Sequence, residues 1–208
     1  MATYLLDVKS AGKTCKFILQ VFCFACFFIS FPAGRAGAEE DLGLDGVVDL
    51  KGSAAQLQLS RDQKATVFVF LSVDCPISNR YAPTLRKLQT EFQNARFVLV
   101  YPNVDESAEA IQKGLSEYEL RFEAWRDTKH TLVKAAQVSI TPEAAVFLPA
   151  RGFVYRGRID DRYADFGKHR SQANTNDLRE VLMEIENGKI PAQRVTKAVG
   201  CYIPKLKE

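Results

Sequence analysis

Two runs of bulky, mostly apolar residues, Thr66–Leu71 and Phe97–Tyr101, dominate the hydrophobic pattern in the middle of the chain. Strands that are buried on both faces of a parallel sheet have such continuous runs, whereas half-exposed strands alternate. Between the two runs, apolar residues recur at helical spacing: Tyr81, Leu85, Leu88 and Phe92. The order of strand, helix and strand predicts a βαβ unit with a right-handed crossover.

Weaker patterns predict further elements on both sides of this unit. Residues 47–50 and 57–59 alternate weakly and suit a short edge hairpin before the core. After the second run, the pattern predicts a helix capped by Ser107, a short strand over 122–125 and a helix over 131–137. The continued alternation of strands and helices is typical of an α/β domain.

In the C-terminal third, the pattern of apolar and polar residues predicts a hairpin, a loop and one more helix. Ala144–Leu148 and Phe153–Ile159 flank a turn-rich joint and suit an antiparallel hairpin at the far edge of the sheet. The polar stretch 160–173 is expected to be a loop. A helix follows with the apolar face Leu178, Val181, Leu182 and Ile185. It is expected to begin at a cap on Asn174 or Thr175 and to end at Gly188.

The N-terminal segment has the composition of a secretory signal peptide. Three lysines precede the apolar stretch 17–31, and a small-residue cleavage site, Ala36-Gly37-Ala38, follows it. An uncleaved anchor is the alternative, although about 15 apolar residues are fewer than the ~20 that a spanning helix needs. We therefore expect an exported protein, periplasmic or extracellular, with a mature chain that begins at Glu39.

Removal of this segment changes the charge and the cysteine count. The full chain has 28 basic and 25 acidic residues. The segment carries four of the basic residues and one of the acidic ones, which leaves 24 of each. A neutral mature protein gives no reason to expect binding to nucleic acid. Of the five cysteines, only Cys75 and Cys201 remain, in a compartment where disulfides persist.

Cys75-Pro76 stands where the first apolar run gives way to the helical period. Proline is favoured in the first turn of a helix, so Cys75 is expected at a helix N-terminus, just past the end of a central strand. Backbone N–H groups and the helix dipole favour a thiolate there, while the neighbouring Asp74 opposes it. The sequence therefore predicts a reactive cysteine, with a buried structural thiol as the alternative.

Two polar residues of the predicted helix are further candidates for the site. Ser78 lies one helical turn after Cys75 and is a candidate hydrogen-bond donor to the sulfur, or a simple first-turn residue. Arg80 is a candidate positive charge near the thiolate, or a solvated helical side chain. Cys201 is the candidate resolving thiol, within one chain or between two, or a tail cysteine that only packs.

The segment around Cys75 resembles the thioredoxin-like superfamily. Residues 75–78 (CPIS) correspond to its Cys-x-x-Cys motif, with Ser78 in place of the second cysteine, so that the motif is a monothiol version. Pro83 corresponds to its helix-kinking proline. The stretch 74–83 (DCPISNRYAP) is most similar to the exported redoxin, or AhpC/TSA-like, group.

The resemblance to peroxiredoxins, the peroxide-reducing branch, covers half of their motif. Their Pro-x-x-x-Thr/Ser-x-x-Cys signature is matched by Ser72 and Cys75, but Phe68 stands where the proline is expected. The resemblance therefore indicates the fold more specifically than it indicates the reaction.

The resemblance implies an α/β, thioredoxin-like fold with a central mixed β-sheet flanked by α-helices. It also implies a cis bond between Thr141 and Pro142, facing Cys75, although only ~5–6% of X-Pro bonds in folded proteins are cis. Thr141 and Pro142 thereby join the candidate catalytic residues. The expected organisation is a signal peptide over 1–38, a redoxin domain over 39–188 and a tail over 189–208.

Metal binding is the rival chemistry, since four residues have suitable ligand atoms: Cys75, Cys201, His130 and His169. A related thioredoxin-like group binds copper through Cys-x-x-x-Cys and a distant histidine, but here Ser78 and Asn79 stand where that second cysteine is needed. His130 opens a predicted helix and His169 lies in a polar loop, where solvated histidines are ordinary. We expect no metal and no cofactor.

Two classes of function remain open at this stage. The first is a thiol oxidoreductase in which Cys75 attacks a disulfide or a peroxide and Cys201 or an external thiol donor regenerates it. Its partners are thiols, disulfides or peroxides. The second is a non-catalytic thioredoxin-like binding module, or a copper-binding assembly factor, that uses the groove between Cys75 and Pro142. The sequence does not specify the oligomeric state.

Overall fold

The computed structural model describes residues 42–206 except 59, 61 and 150. The expected signal peptide, residues 1–38, lies outside the described residues. Within those residues, every helix is too short or too polar to span a membrane.

The described chain contains eleven strands and five helices in this order: β1 (Val47–Asp49), β2 (Ala65–Phe70), α1 (Pro76–Arg80), α2 (Ala82–Glu91), β3 (Ala95–Tyr101), α3 (Ala108–Glu117), β4 (Glu123–Asp127), α4 (Thr131–Ala136), β5 (Ile140–Thr141), β6 (Glu143–Leu148), β7 (Gly152–Gly157), β8 (Tyr163–Asp165), β9 (Lys168–His169), α5 (Asp177–Glu186), β10 (Arg194–Val195) and β11 (Cys201–Tyr202). Seven strands form a mixed sheet in the order β1-β4-β3-β2-β6-β7-β10. Strands β5 and β11 form one two-stranded sheet, and β8 and β9 form another.

The two apolar runs form the adjacent parallel strands β2 and β3, as predicted. The predicted single helix between them is in fact two, α1 and α2, which meet at Tyr81. Pro83 explains the break, because it has no N–H to donate to the carbonyl of Asn79 in a continuous helix. The β2 strand is buried along its whole length, with β3 on one side and antiparallel β6 on the other.

Helices cover both faces of the sheet. Alternate side chains of a strand point to opposite faces, and β2 places Val67 and Val69 in one apolar cluster and Phe68 and Phe70 in the other. Helices α2, α3 and α5 bury their apolar sides in the first cluster, and α4 buries its apolar side in the second. The predicted fold class, a mixed sheet flanked by helices, is thus confirmed.

Several local expectations need correction. The predicted hairpin of β6 and β7 forms, but β10 pairs with β7 on its outer side, so β7 is not the edge strand. The stretch 160–173 contains the small hairpin of β8 and β9 rather than only loop. The N-cap of α5 is Asn176 rather than residue 174 or 175. Near the start, β1 pairs with β4 instead of with residues 57–59.

The segment after α5 runs along the sheet and then across its carboxyl-terminal end. The backbone N–H of Thr196 donates to Arg156 O at 3.0 Å. This approach requires glycine at 157, because a Cβ there would lie 2.1 Å from Thr196 Oγ1. From this anchor the chain continues to β11, where Cys201 pairs with Thr141 of β5.

Candidate active site

Cys75 lies at the junction of β2 and α1, as the sequence predicts. It is the N-cap residue of α1, and Pro76 occupies the first helical position. The loop before it is short, and the Cys75 N–H donates to Ser72 O at 3.2 Å. Only 1% of the Cys75 side chain is exposed. A partner therefore reaches this sulfur only if a covering segment moves.

The covering segment includes the C-terminal strand β11. Its Cys201 is aligned with Thr141 in antiparallel pairing, and the Thr141 Oγ1 hydroxyl donates to Cys201 O at 3.4 Å. Gly200 makes the close approach possible, because a Cβ at this position would lie 2.0 Å from Thr141 O. A backbone bond from Ile203 N to Ser139 O at 3.0 Å continues the same pairing by one residue beyond each strand.

This pairing brings the two cysteines of the expected mature chain together. Both are free thiols, and the Cys201 S–H donates to Cys75 Sγ with 2.8 Å between the sulfurs. Cys75 Sγ also contacts Thr141 O at 3.2 Å. Both cysteines line a cavity of about 230 Å³ together with Ser72, Asn103, Thr141 and Pro204.

The two thiols differ in acidity. Burial opposes ionisation of Cys75, but hydrogen bonds with Cys201 and Ser78 outweigh burial and bring the pKa of Cys75 below its ordinary value. Burial, together with the hydrogen bond to Cys75 and the charge of its sulfur, raises the pKa of Cys201 to about 12. At neutral pH, Cys75 is therefore the better nucleophile and Cys201 the proton-bearing partner.

The other predicted site residues occupy different places around this pair. Ser78 is buried, and its Oγ accepts a hydrogen bond from Ser72 N at 3.4 Å. Pro142 is buried next to Thr141, and the bond between them is cis, as expected. Arg80 is exposed and lines a neighbouring surface groove with Pro76 instead of the cavity that holds the sulfurs.

Glu106 is a buried acidic residue that the sequence analysis did not identify. Its Oε1 accepts hydrogen bonds from Ser72 Oγ at 2.6 Å and from Val73 N at 2.9 Å, on the loop that leads to Cys75. Glu106 directly precedes Ser107, the N-cap of α3. In sequence it resembles an ordinary polar residue just before a helix, and only the fold brings it behind the cysteine.

The two histidines do not join the cysteines. His130 was expected to be solvated, but it is buried, and its Nε2 lies 2.9 Å from Pro102 O. His169 is exposed on β9 beside the ring of Tyr163. Among the described residues, no group of three or more His, Cys, Asp or Glu side chains is arranged to hold a metal ion.

Two solved structures share this fold. An uncharacterised conserved protein from Geobacillus kaustophilus is 22% identical, with a TM-score of 0.66 over 78% of this chain and 89% of that one. A hypothetical protein from Sinorhizobium meliloti 1021 is 24% identical, with a TM-score of 0.64 over 76% of this chain and 88% of that one. A secreted disulfide oxidoreductase from Mycobacterium tuberculosis, described as homologous to E. coli DsbE, is 20% identical with a TM-score of 0.46, over 66% of this chain and 92% of that one.

Comparison with curated proteins gives no match. The model of the AhpC/TSA family matches residues 41–159. This match covers more than half of the chain and includes β2, Cys75, the cis bond before Pro142 and the hairpin of β6 and β7. The chain therefore belongs to the AhpC/TSA family and has the thioredoxin-like fold that its cysteine motif predicts.

Proposed function

We propose that this protein is an exported thiol–disulfide oxidoreductase in which Cys75 is the attacking thiol and Cys201 the resolving thiol. The observation that supports this role most directly is the 2.8 Å separation of the two sulfurs. A disulfide bond needs ~2.05 Å between sulfurs, so the pair is close to bonding geometry within one chain. The AhpC/TSA family and thioredoxin-like fold support thiols and disulfides as the general kind of partner.

The reaction has two exchange steps. In the first, the Cys75 thiolate attacks one sulfur of a substrate disulfide, the substrate S–S bond breaks, and the leaving thiolate takes up a proton. In the second, Cys201 loses its proton and attacks Cys75 Sγ, which forms the Cys75–Cys201 disulfide and expels the other substrate sulfur as a thiol. The substrate gains two electrons and the cysteine pair loses two. An external dithiol then reduces the pair.

Residues around the two cysteines support these steps by their contacts with Cys75 and Cys201. Ser78 stabilises the attacking thiolate, because its hydrogen bond to Cys75 lowers the pKa of that thiol. Thr141 aligns the resolving strand, since its backbone pairs with Cys201. In the resting thiol, the Cys75 S–H donates to the Thr141 carbonyl at 3.2 Å, and this hydrogen bond is given up when Cys75 ionises.

Disulfide exchange fits this site better than peroxide reduction does. Phe68, which stands where the peroxiredoxin motif has proline, is wholly buried in the core beside Trp125. It therefore contributes nothing to a peroxide pocket at Cys75. The sulfur of Cys201, by contrast, lies 2.8 Å from that of Cys75, which supports resolution of a mixed disulfide on Cys75.

A peptide disulfide with a fluorophore and a quencher on its two halves tests the proposal. We expect the reduced protein to cleave this probe and Cys75→Ser to be inactive. Cys201→Ser should accumulate a mixed disulfide between Cys75 and one half of the probe, because the resolving thiol is missing. Activity retained in Cys75→Ser, or a mixed disulfide on Cys201 instead of Cys75, would contradict the assignment.

Export is a separate part of the proposal and rests on the N-terminal sequence pattern. Intact mass and N-terminal sequencing of the protein from an exporting host should give a chain that begins at Glu39. A full-length chain retained in the membrane would instead support an anchor.

A further inference from the structure

Glu106 lies in the loop between β3 and α3, behind the segment that leads to Cys75. Only 5% of the residue is exposed. Its backbone N–H donates to Asn103 O at 3.1 Å, which fixes the loop beneath it. The side chain is directed toward the end of β2 rather than toward solvent. Such a placement is unusual for a glutamate, since burial of a carboxylate is costly unless the group is paired or hydrogen-bonded.

The carboxylate binds the active-site loop at two points. Oε1 accepts from the Ser72 hydroxyl at 2.6 Å and from Val73 N at 2.9 Å. Ser72 in turn contacts both ends of the site. Its carbonyl accepts from Cys75 N at 3.2 Å, and its N–H donates to Ser78 Oγ at 3.4 Å. Glu106 is therefore one residue removed from the cysteine backbone and from the serine that hydrogen-bonds its sulfur.

A purely structural clamp here does not require a charged group. The amide oxygen of glutamine accepts the same two hydrogen bonds without burial of a charge. The second oxygen of Glu106, Oε2, is buried without a hydrogen-bond partner among the described residues. Hydrogen bonds to a carboxylate are roughly twice as strong as those to a neutral acceptor. The ionised carboxylate thus holds Ser72 and Val73 more strongly than a neutral acceptor would, and this advantage is lost when the carboxylate takes up a proton.

We propose that Glu106 is a positioning residue for Cys75, and that its ionised form holds Ser72 and Val73 in the geometry in which Cys75 reacts. This inference rests on the proposed role of Cys75 as the attacking thiol. When Glu106 takes up a proton, its bonds to the loop weaken, and both the backbone of Cys75 and the hydroxyl of Ser78 lose their fixed positions.

The groups that face Glu106 make this protonation accessible. Burial raises the pKa of the Glu106 carboxyl most strongly, hydrogen bonds with Ser72, Val73 and Asn103 lower it, and the charge of Asp74 raises it, so that the net shift is upward. From β3, Tyr101 stays protonated, because burial and the charge of Glu106 raise its pKa. Asp74 and Tyr101 are the titratable neighbours whose charges interact with Glu106 among the described residues. As the pH decreases, the reactivity of Cys75 should therefore fall for two reasons. Cys75 itself takes up a proton, and protonated Glu106 holds the loop less strongly.

The test is the rate at which methyl methanethiosulfonate, a thiol reagent without a titratable group, modifies Cys75 between pH 3.5 and 9, measured in a Cys201→Ser background so that one thiol reports. A single ionising thiol gives a logarithmic rate that falls with unit slope as the pH decreases. With Glu106 present, we expect the slope to steepen toward two in the acid range. Glu106→Gln should restore unit slope and lower the rate at pH 8 by about tenfold, because glutamine, like the protonated acid, is a neutral acceptor that holds the loop less strongly. The exposed Glu180→Gln is the matched control and should keep the steeper slope.

A second variant tests the same inference without removal of the carboxylate. Ser72→Ala deletes a hydrogen bond that lowers the pKa of Glu106, so the change of slope should move to higher pH. The inference is overturned if the background shows unit slope throughout, or if Glu106→Gln keeps the steeper slope. Neither readout requires turnover, so a failure here is distinguishable from a failure of the proposed function, which appears as probe cleavage by Cys75→Ser.

Discussion

At the scale of single residues, the two neighbouring thiols differ in how readily each loses its proton. Cys201 donates its S–H to Cys75, and Ser78 adds a further hydrogen bond, so the negative charge is favoured on Cys75. The same contact makes it harder for Cys201 to lose its proton. This asymmetry supports the proposed roles, in which Cys75 attacks and Cys201 stays protonated until a mixed disulfide forms.

Replacement of Cys75 should make Cys201 more reactive. In Cys75→Ser the neighbouring sulfur charge is lost, so the pKa of Cys201 should fall from about 12 toward the ordinary thiol value, although burial keeps it raised. A lower pKa gives more thiolate at pH 8.5, and iodoacetamide should then label Cys201 at least about tenfold faster, since each pKa unit changes the thiolate fraction tenfold. Mass spectrometry of the Cys201 peptide measures the labelling rate. A rate equal to that of the wild type would show that Cys75 does not raise the pKa of Cys201.

Loss of the Ser78 hydroxyl should raise the pKa of Cys75. Deletion of a hydrogen bond worth ~1 kcal/mol corresponds to a shift of ~0.7 units. Because a raised thiol pKa leaves less thiolate at a given pH, the Ser78→Ala profile of Cys75 alkylation should move to higher pH. Ser116→Ala, on the exposed side of α3, is the matched control and should leave the profile in place. An unchanged midpoint in Ser78→Ala would remove this serine from the site.

At the scale of elements, the two-residue strand β11 determines where Cys201 lies. Strand β11 contributes little to the sheet, yet it delivers Cys201 to the carboxyl end of β2, where Cys75 begins α1. Its position depends on Gly200, which approaches the carbonyl of Thr141 more closely than any other residue type allows. The edge of β5 is thus where the tail and the active site meet.

Gly200→Ala should therefore detach β11 and uncover Cys75. A Cβ placed 2.0 Å from Thr141 O requires the strand to move away, and a loss of ~1.4 kcal/mol in local stability corresponds to a tenfold larger open population. We expect Cys75 in the reduced protein to be alkylated about tenfold faster by a bulky maleimide. Gly114→Ala is the matched control, because the added methyl would lie 3.6 Å from Val73 Cγ1, an ordinary contact. Equal rates in the two variants would mean that β11 does not cover the thiol.

Most of these elements could be predicted from the sequence, because their signals are local. The apolar runs of β2 and β3 reflect burial on both faces, and Ser107 caps α3 as its side chain suggests, with its Oγ accepting from Ala110 N. The outer strand β10 could not be predicted in the same way. Its two residues carry no pattern of their own, and its place beside β7 depends on a long-range contact at Gly157.

The residues of the candidate site also divide into those with local sequence signals and those that depend on long-range contacts. Cys75 and the cis bond before Pro142 could be predicted, since both lie in motifs of neighbouring residues. The position of Cys201 could not, because it follows Cys75 by 126 positions and no local pattern indicates where the tail returns. Glu106 was missed for the same reason, since its partners Ser72 and Val73 lie more than thirty residues away in the chain.

At the scale of the whole molecule, the cysteine pair would close the chain from α1 to β11 into one loop. A disulfide across 126 residues should stabilise the folded state by ~4–5 kcal/mol in the chain-entropy model, because it constrains the unfolded chain. Urea unfolding of the oxidised and reduced protein should show this difference, and Cys201→Ser should behave like the reduced form under both conditions. Identical midpoints for oxidised and reduced protein would mean that no such bond forms within the chain.

The most direct test of the central claim is to equilibrate the protein with a glutathione redox buffer, block free thiols, digest without reduction and identify the peptides by mass spectrometry. The geometry predicts a peptide that joins Cys75 to Cys201, formed in a protein that runs as a monomer on a non-reducing gel. The opposite result, Cys75 recovered as a glutathione adduct while Cys201 is recovered as a blocked free thiol, would show that the two sulfurs are neighbours but not redox partners.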